Sequence, residues 1–161
     1  MYIDDFFAGA RVAPAMRHGL LLILMLCMTG PDTYAQQKSD ATAALVGYMV
    51  NAHAIDKASF SCCGEERFRT AFDALDREQV LLCGIETHVC VYQTAMDLME
   101  EDLDITVVAD AVSSRTQQNK QTALTRLSDE GAAISSTEMA LFELLKTARH
   151  PQFREIARLV R

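Results

Sequence analysis

The sequence predicts an α/β protein with a parallel sheet covered by helices on both faces, a three-layer α/β/α architecture. Three observations predict it. Short apolar runs rich in β-branched residues recur, VLLC at 80–83, ITVV within 105–110 and AAIS at 132–135. Such runs are near-continuous rather than alternating, as strands buried on both faces read. Segments with apolar residues at helical spacing separate them, and strands alternating with helices make parallel sheets. The first run stops at Gly84, and a helical pattern opens a few residues later.

Each element can be justified in order. In MRHGLLLILMLCMTGPDTYAQQ (16–37), Arg17 and His18 precede nine apolar residues, 20–28, with small residues near Ala35. A secretory signal has that layout, but so does a buried parallel strand. Free thiols are uncommon in secreted chains, so the strand is the expected reading. Residues 42–50 suit a short helix. In EERFRTAFDAL (65–75), Phe68, Phe72 and Leu75 share one helical face. The strand at 80–83 follows, then a helix over 89–101 with Val91, Ala95, Leu98 and Met99 on one side. ITVVAD is a strand of β-branched residues, and 116–130 a helix stopped by Gly131. After the short strand AAIS, Thr137 and Glu138 open a helix through Lys146. Pro151, tolerated in a first turn, opens a last helix with Phe153, Ile156, Ala157 and Val160 inward. No repeat interrupts this order, so 1–161 is expected to be a single domain.

Composition narrows the function. Of 161 residues, 50% are hydrophobic and 23% charged, enough for one packed core. The net charge of −7 leaves no basic stripe to neutralise phosphates, so nucleic acid is not an expected partner. No apolar run reaches the roughly 18 residues of a membrane span, so no membrane partner is expected either. The five cysteines, Cys27, Cys62, Cys63, Cys83 and Cys90, are odd in number and lack C-x-x-C spacing. That suits reduced thiols in an intracellular, cytoplasmic protein, with a mitochondrial location open and secretion tied to 16–35 being a signal peptide. His18, His53, His88 and His150 show no paired ligand spacing, and no metal is expected.

The chemistry concentrates in VLLCGIETHVCV. Strand, glycine-ended loop and helix place Cys90 at the carboxyl end of a parallel sheet, where α/β sites form. Free N–H groups at a helix start favour thiolate over thiol, and the thiolate is the nucleophile. The same groups can hold a developing oxyanion. A core cysteine packed under the sheet is the competing reading for Cys90, and the expected one for Cys83.

The stretch LLCGIETHVCVYQTAMDLMEEDLDITVVADAVSSR, continued by LTRLSDEGAAISSTEMALFELLKTARHPQF and preceded by IDKASFSC, resembles the isochorismatase-like cysteine hydrolases. Within them it looks most like the isochorismatase-domain-containing branch sometimes labelled mitochondrial-associated ribonuclease. The resemblance covers 55–161 as a family-like core and leaves 1–54 as a divergent front. It implies a Rossmann-like fold and an Asp-Lys-Cys site in which Cys90 attacks the carbonyl carbon of a small amide or related acyl compound. Lys57 matches the family lysine before an F-S turn. The GIETH loop matches a family segment with an unusual cis peptide, here Ile85–Glu86, so Ile85, Glu86 and Val89 are the expected oxyanion loop. His88 is expected to bond the loop or line the pocket. No cofactor is expected, and the family implies a homo-oligomer. The front departs from the pattern: Phe7-Ala8-Gly9 stands where D-x-Q belongs, the strand before it is missing, and no T-E-Q-Y-P motif follows. The first strands are therefore expected to be eroded. Asp4 and Asp5 are the nearest replacement acids, and an inactive paralogue that binds or oligomerises is the alternative function.

Overall fold

The apolar runs become strands that lie side by side in chain order. The computed structural model describes residues 20–26, 55 and 57–160. Its sheet runs β1 (Leu20–Leu26), β2 (Gln79–Ile85), β3 (Asp104–Ser113), β4 (Ala133–Ser135), every neighbouring pair parallel. The helices are α1 (Glu66–Asp73), α2 (Tyr92–Met99), α3 (Gln117–Asp129), α4 (Thr137–Leu145) and α5 (Phe153–Leu159). A 3-10 turn, Cys62–Gly64, precedes α1, and a π-helical turn, Thr87–Val91, runs directly into α2.

The run weighed between signal and strand is β1, in register from Leu20 opposite Gln79 to Leu26 opposite Ile85. At least one strand from the front of the chain therefore belongs to the sheet. Residues 42–50, where a helix is expected, lie outside the described residues, as does most of 1–54.

The central strand β2 buries every residue from Val80 to Gly84. Side chains alternate across a strand, and Val80 and Leu82 join a cluster with Val91, Ala95, Leu98, Val107 and Leu127. Leu81 and Cys83 are buried on the opposite face. The register between β2 and β3 shifts after Leu82, from Leu82 opposite Val107 to Gly84 opposite Val112. Val107 and Val112, an odd number of residues apart, thereby reach the same cluster. Leu82, Leu98 and Leu127 are fully buried at its centre, and cutting any of them to alanine costs about 2–5 kcal/mol.

Caps fix the helix ends. Thr116 accepts from the Asn119 amide and Ser136 from the Met139 amide. Gly131 (φ +108°) closes α3 while the Ala132 amide reaches the Leu127 carbonyl at 2.9 Å, so the chain turns directly into β4. Asp110 of β3 accepts from the Thr137 amide (2.8 Å) and hydroxyl (3.0 Å), fixing the start of α4.

Several boundaries differ from expectation. Strand β2 continues through Gly84 (φ +123°) to Ile85, because its pairing with β1 continues to that point. Helical structure then opens at Thr87 rather than Val89. Strand β3 extends to Ser113, carried by its pairing with Ile85. The last helix begins at Phe153 after a turn closed by the Phe153 amide on the His150 carbonyl, so Pro151 lies outside it.

Candidate active site

Cys90 stands in the π-helical turn beyond the carboxyl end of β2, only 2% exposed. The peptide bond Ile85–Glu86, where the cis bond is expected, is cis. Ile85 is the last residue of β2 and half-buried, and Glu86 opens the turn. The Glu86 carbonyl accepts from the amides of both Val89 (3.1 Å) and Val91 (3.2 Å). The Val89 amide, expected on the oxyanion loop, is thus engaged within the turn itself.

Sequence reasoning missed what holds this turn. Three consecutive residues before Val89 bind three consecutive residues at the end of β3. The Arg115 Nε lies 3.0 Å from Glu86 Oε2, the Thr87 hydroxyl donates to the Ser113 carbonyl at 2.8 Å, and His88 Nδ1 lies 3.0 Å from the Ser114 hydroxyl. The opposite ring nitrogen of His88 is 3.3 Å from the Asn119 amide nitrogen, in the first turn of α3. An Asn119 N–H donating there leaves the proton on Nδ1, facing Ser114 and, at 3.4 Å, Glu86. His88 is accordingly a loop-bonding residue. The available signal was the SSR tripeptide at 113–115, a mark of the family resemblance with no role given to it.

The segment from Lys57 to Glu65 packs against the helix that carries Cys90. The Lys57 ammonium donates to the carbonyls of Ser59 and Phe60, both at 2.7 Å, closing a turn on itself. Glu65 ties that turn from outside, accepting from the amides of Ala58 (2.8 Å) and Ser59 (3.1 Å). The Cys62 amide donates to the buried Thr94 hydroxyl at 2.9 Å, and the Ser61 hydroxyl to Asp97. These bonds dock the segment on the helix that carries Cys90, since Thr94 lies one turn beyond Cys90.

Burial pushes the Cys62 thiol up, opposed by its contact with Thr94 and by the positive charge of Lys57. Charge on Cys63 or on Cys90 pushes it further up. Lys57 and Cys90 thus each act on Cys62 by charge, while the Lys57 ammonium bonds its own turn. Cys63 is also raised, by burial first, with Ser61 and Arg69 working against it. Cys83, fully buried in β2, is pushed up to about 12 by burial, with Asp110 adding to the effect. It is a core thiol, as expected. Asp4 and Asp5 lie outside the described residues. Among the described residues, no three His, Cys, Asp or Glu side chains are grouped as a metal site requires.

The chain is similar to known proteins. The chain is 42% identical over 104 residues to isochorismatase domain-containing protein 2 of Danio rerio, covering 65% of this chain and 53% of that one. It is 51% identical over 85 residues to the secreted isochorismatase effector Isc1 of Phytophthora sojae, covering 53% and 40%. The chain thus spans about half the length of these relatives. The solved structure of the MAR1 ribonuclease of Caenorhabditis elegans superposes with a TM-score of 0.66 at 29% identity, covering 86% of this chain and 68% of that one. Its fold is the parallel sheet with flanking helices described above. Residues 30–139 match the Isochorismatase domain, beginning upstream of the expected boundary at Ile55. With more than half of its length under that match, the chain belongs to the isochorismatase family.

Proposed function

We propose that the chain is a cysteine hydrolase acting on a small amide or related acyl compound through a thioester on Cys90. The observation that carries this reading is the placement of Cys90 in a helical turn that follows the carboxyl end of the central strand. The Cys90 thiolate attacks the carbonyl carbon, the C–N bond breaks, and the amine leaves with a proton from an acid. Water then attacks the thioester, giving a carboxylic acid and restoring the thiol. Lys57 supplies positive charge beside the reacting groups. The acid is the open position, with Asp4 and Asp5 as candidates, and general acid–base help is worth a factor of about 10²–10⁴.

A second reading, an inactive binding or oligomer-forming subunit, is favoured by the burial of Cys90 and by the engagement of Lys57 with its own turn. One experiment separates the two. A panel of small amides is offered to the wild type and to Cys90→Ser, while Cys90 is followed by mass spectrometry for an acyl adduct. An adduct and turnover, both lost in Cys90→Ser, support the hydrolase. No adduct and no turnover leave the binding subunit. The acid is tested by replacing Asp4, Asp5 and Phe7 separately. Activity lost in Asp4→Ala or Asp5→Ala identifies the acid; activity raised only by Phe7→Asp shows the position to be empty.

The reading requires no cofactor or metal, and it takes a small molecule as partner. The ribonuclease name of the C. elegans neighbour does not extend to this chain in our reading, because a net charge of −7 disfavours phosphate backbones. The compartment we propose is intracellular. Among the described residues Cys62, Cys63 and Cys83 are free thiols, and Leu20–Leu26 is engaged as a strand. Among the described residues no helix is long and apolar enough to cross a membrane. Intact mass of the natively expressed protein tests this, and a chain beginning at Gln36 would establish secretion. We further propose a homo-oligomer.

A further inference from the structure

Outside the reacting groups, a set of polar contacts at the candidate site joins residues 86–88 to residues 113–115. Partners lie 26 to 29 positions apart in sequence, so the bonds fix one loop against another. The contacts differ in kind. Thr87 is fully buried and its bond to the Ser113 carbonyl is internal. Glu86 and Arg115 form an ion pair nearer the surface. His88 reaches Ser114 on one side and Asn119 on the other. Asn119 is itself fixed, because its amide is bonded by the Thr116 cap of α3. The turn carrying Cys90 is therefore held to the end of β3 and to the first turn of a capped helix. Neither Arg115 nor Asn119 needs to touch a substrate for this to matter, since a reacting carbonyl is sensitive to misplacement of its oxyanion donors by fractions of an ångström.

We propose that Arg115, through Glu86, and Asn119, through His88, are positioning residues that hold the 86–91 turn so that Cys90 is presented for acyl transfer. The proposal rests on the hydrolase reading of Cys90 and assigns what keeps its loop in the working geometry. It separates two properties of the cysteine. Alkylation needs only a thiolate and access, and a looser turn exposes the buried thiol more often. Acylation also needs the loop to meet the charge developing on the carbonyl oxygen. Loosening the clamp should therefore slow acylation without slowing alkylation, whereas general destabilisation of the fold would speed both.

The experiment uses the full chain and two probes of Cys90, iodoacetamide for alkylation and p-nitrophenyl acetate for acylation, each followed by mass at that residue. In Arg115→Met and Asn119→Ala, acylation is expected to fall roughly tenfold to a hundredfold, since a bond to a charged group and an oxyanion contact are at stake. Alkylation stays the same or rises. Arg115→Lys, which keeps a charge for Glu86, recovers part of the acylation. Unchanged acylation in both variants, or both reactions changing together, overturns the proposal. If wild-type Cys90 alkylates but never acylates, the hydrolase reading fails instead. The clamp is then decided by hydrogen exchange at the 87–91 amides: several-fold faster exchange in the variants supports it, and unchanged exchange overturns it.

Discussion

Cys83 shows what burial inside a strand does to a thiol. In the middle of β2 it has no exposure and its thiol is held up to about 12, mainly by burial. An unfolded chain releases that proton near 9.0. The folded state therefore binds more protons between those values, and stability falls as pH rises through that window. Below about 9 the contribution is fully present; by about 12 it is lost, a change of about 4 kcal/mol from this thiol at 1.36 kcal/mol per pH unit. Cys62 and Cys63, also raised by burial, act in the same direction. Urea unfolding at a series of pH values from 8 to about 11 should show a steep alkaline decline in the wild type and a shallower one in Cys83→Ala. Parallel declines would remove Cys83 from the account. The position of Cys90 and the core role of Cys83 were both legible in the sequence, because the apolar run, Gly84 and the helical pattern are local features. The partners of Glu86, Thr87 and His88 were not, because each lies 26 or more residues away and no periodicity marks it.

At the scale of elements, the 57–65 segment is held by polar contacts around a glycine. A Cβ on Gly64 would stand 2.7 Å from Ser59 Cβ and 2.9 Å from its hydroxyl oxygen. Ser59 cannot easily yield, since that oxygen lies 2.7 Å from the Ser61 carbonyl and 3.0 Å from Glu65 Oε1. Gly64→Ala should thus destabilise by about 1–3 kcal/mol, the usual cost of overpacking, read as a lower urea midpoint at unchanged slope. A midpoint equal to the wild type would show that the turn relaxes freely. Glu65 supplies a pH dependence to the same turn. Bonds from the Ser59 amide, then the Ala58 amide and the Ser59 hydroxyl, hold its carboxyl below the ordinary 4.5. The stabilisation is present above the unfolded value and is lost as pH falls through the folded one. Amide exchange at Ala58 and Ser59, corrected for its intrinsic pH dependence, should accelerate on acidification, and Glu65→Gln should show the faster rate already at neutral pH. Strands and helices of this region were legible from apolar spacing. Their ends were less so, because β2 ran past Gly84 on the strength of its pairing with β1, and the π-helical start at Thr87 follows from tertiary bonds.

At the scale of the whole molecule, the C-terminal helices pose a question of cover. Helices α4 and α5 form an apolar cluster apart from the main core, Leu145 and Ile156 with Leu141, Phe142, Leu144 and Phe153 around them. The Phe142 and Phe153 rings meet at 6.0 Å between centroids. Near the ends of these helices, Met139 is 52% and Leu159 48% exposed. Large apolar side chains exposed beside a small satellite cluster are costly in water, and a second copy of the chain covers such surface by symmetry. A stable contact of this kind needs roughly 800 Å² per partner, more than two side chains provide, so neighbouring parts of both helices must take part. The expectation is a dimer or larger assembly by light scattering at micromolar concentration. Paired changes Met139→Glu and Leu159→Glu place charge in the contact and should shift the mass toward the monomer with little effect on the fold, judged by circular dichroism. A wild-type chain that is cleanly monomeric would refute the assembly. A variant that stays assembled would place the contact elsewhere on the surface.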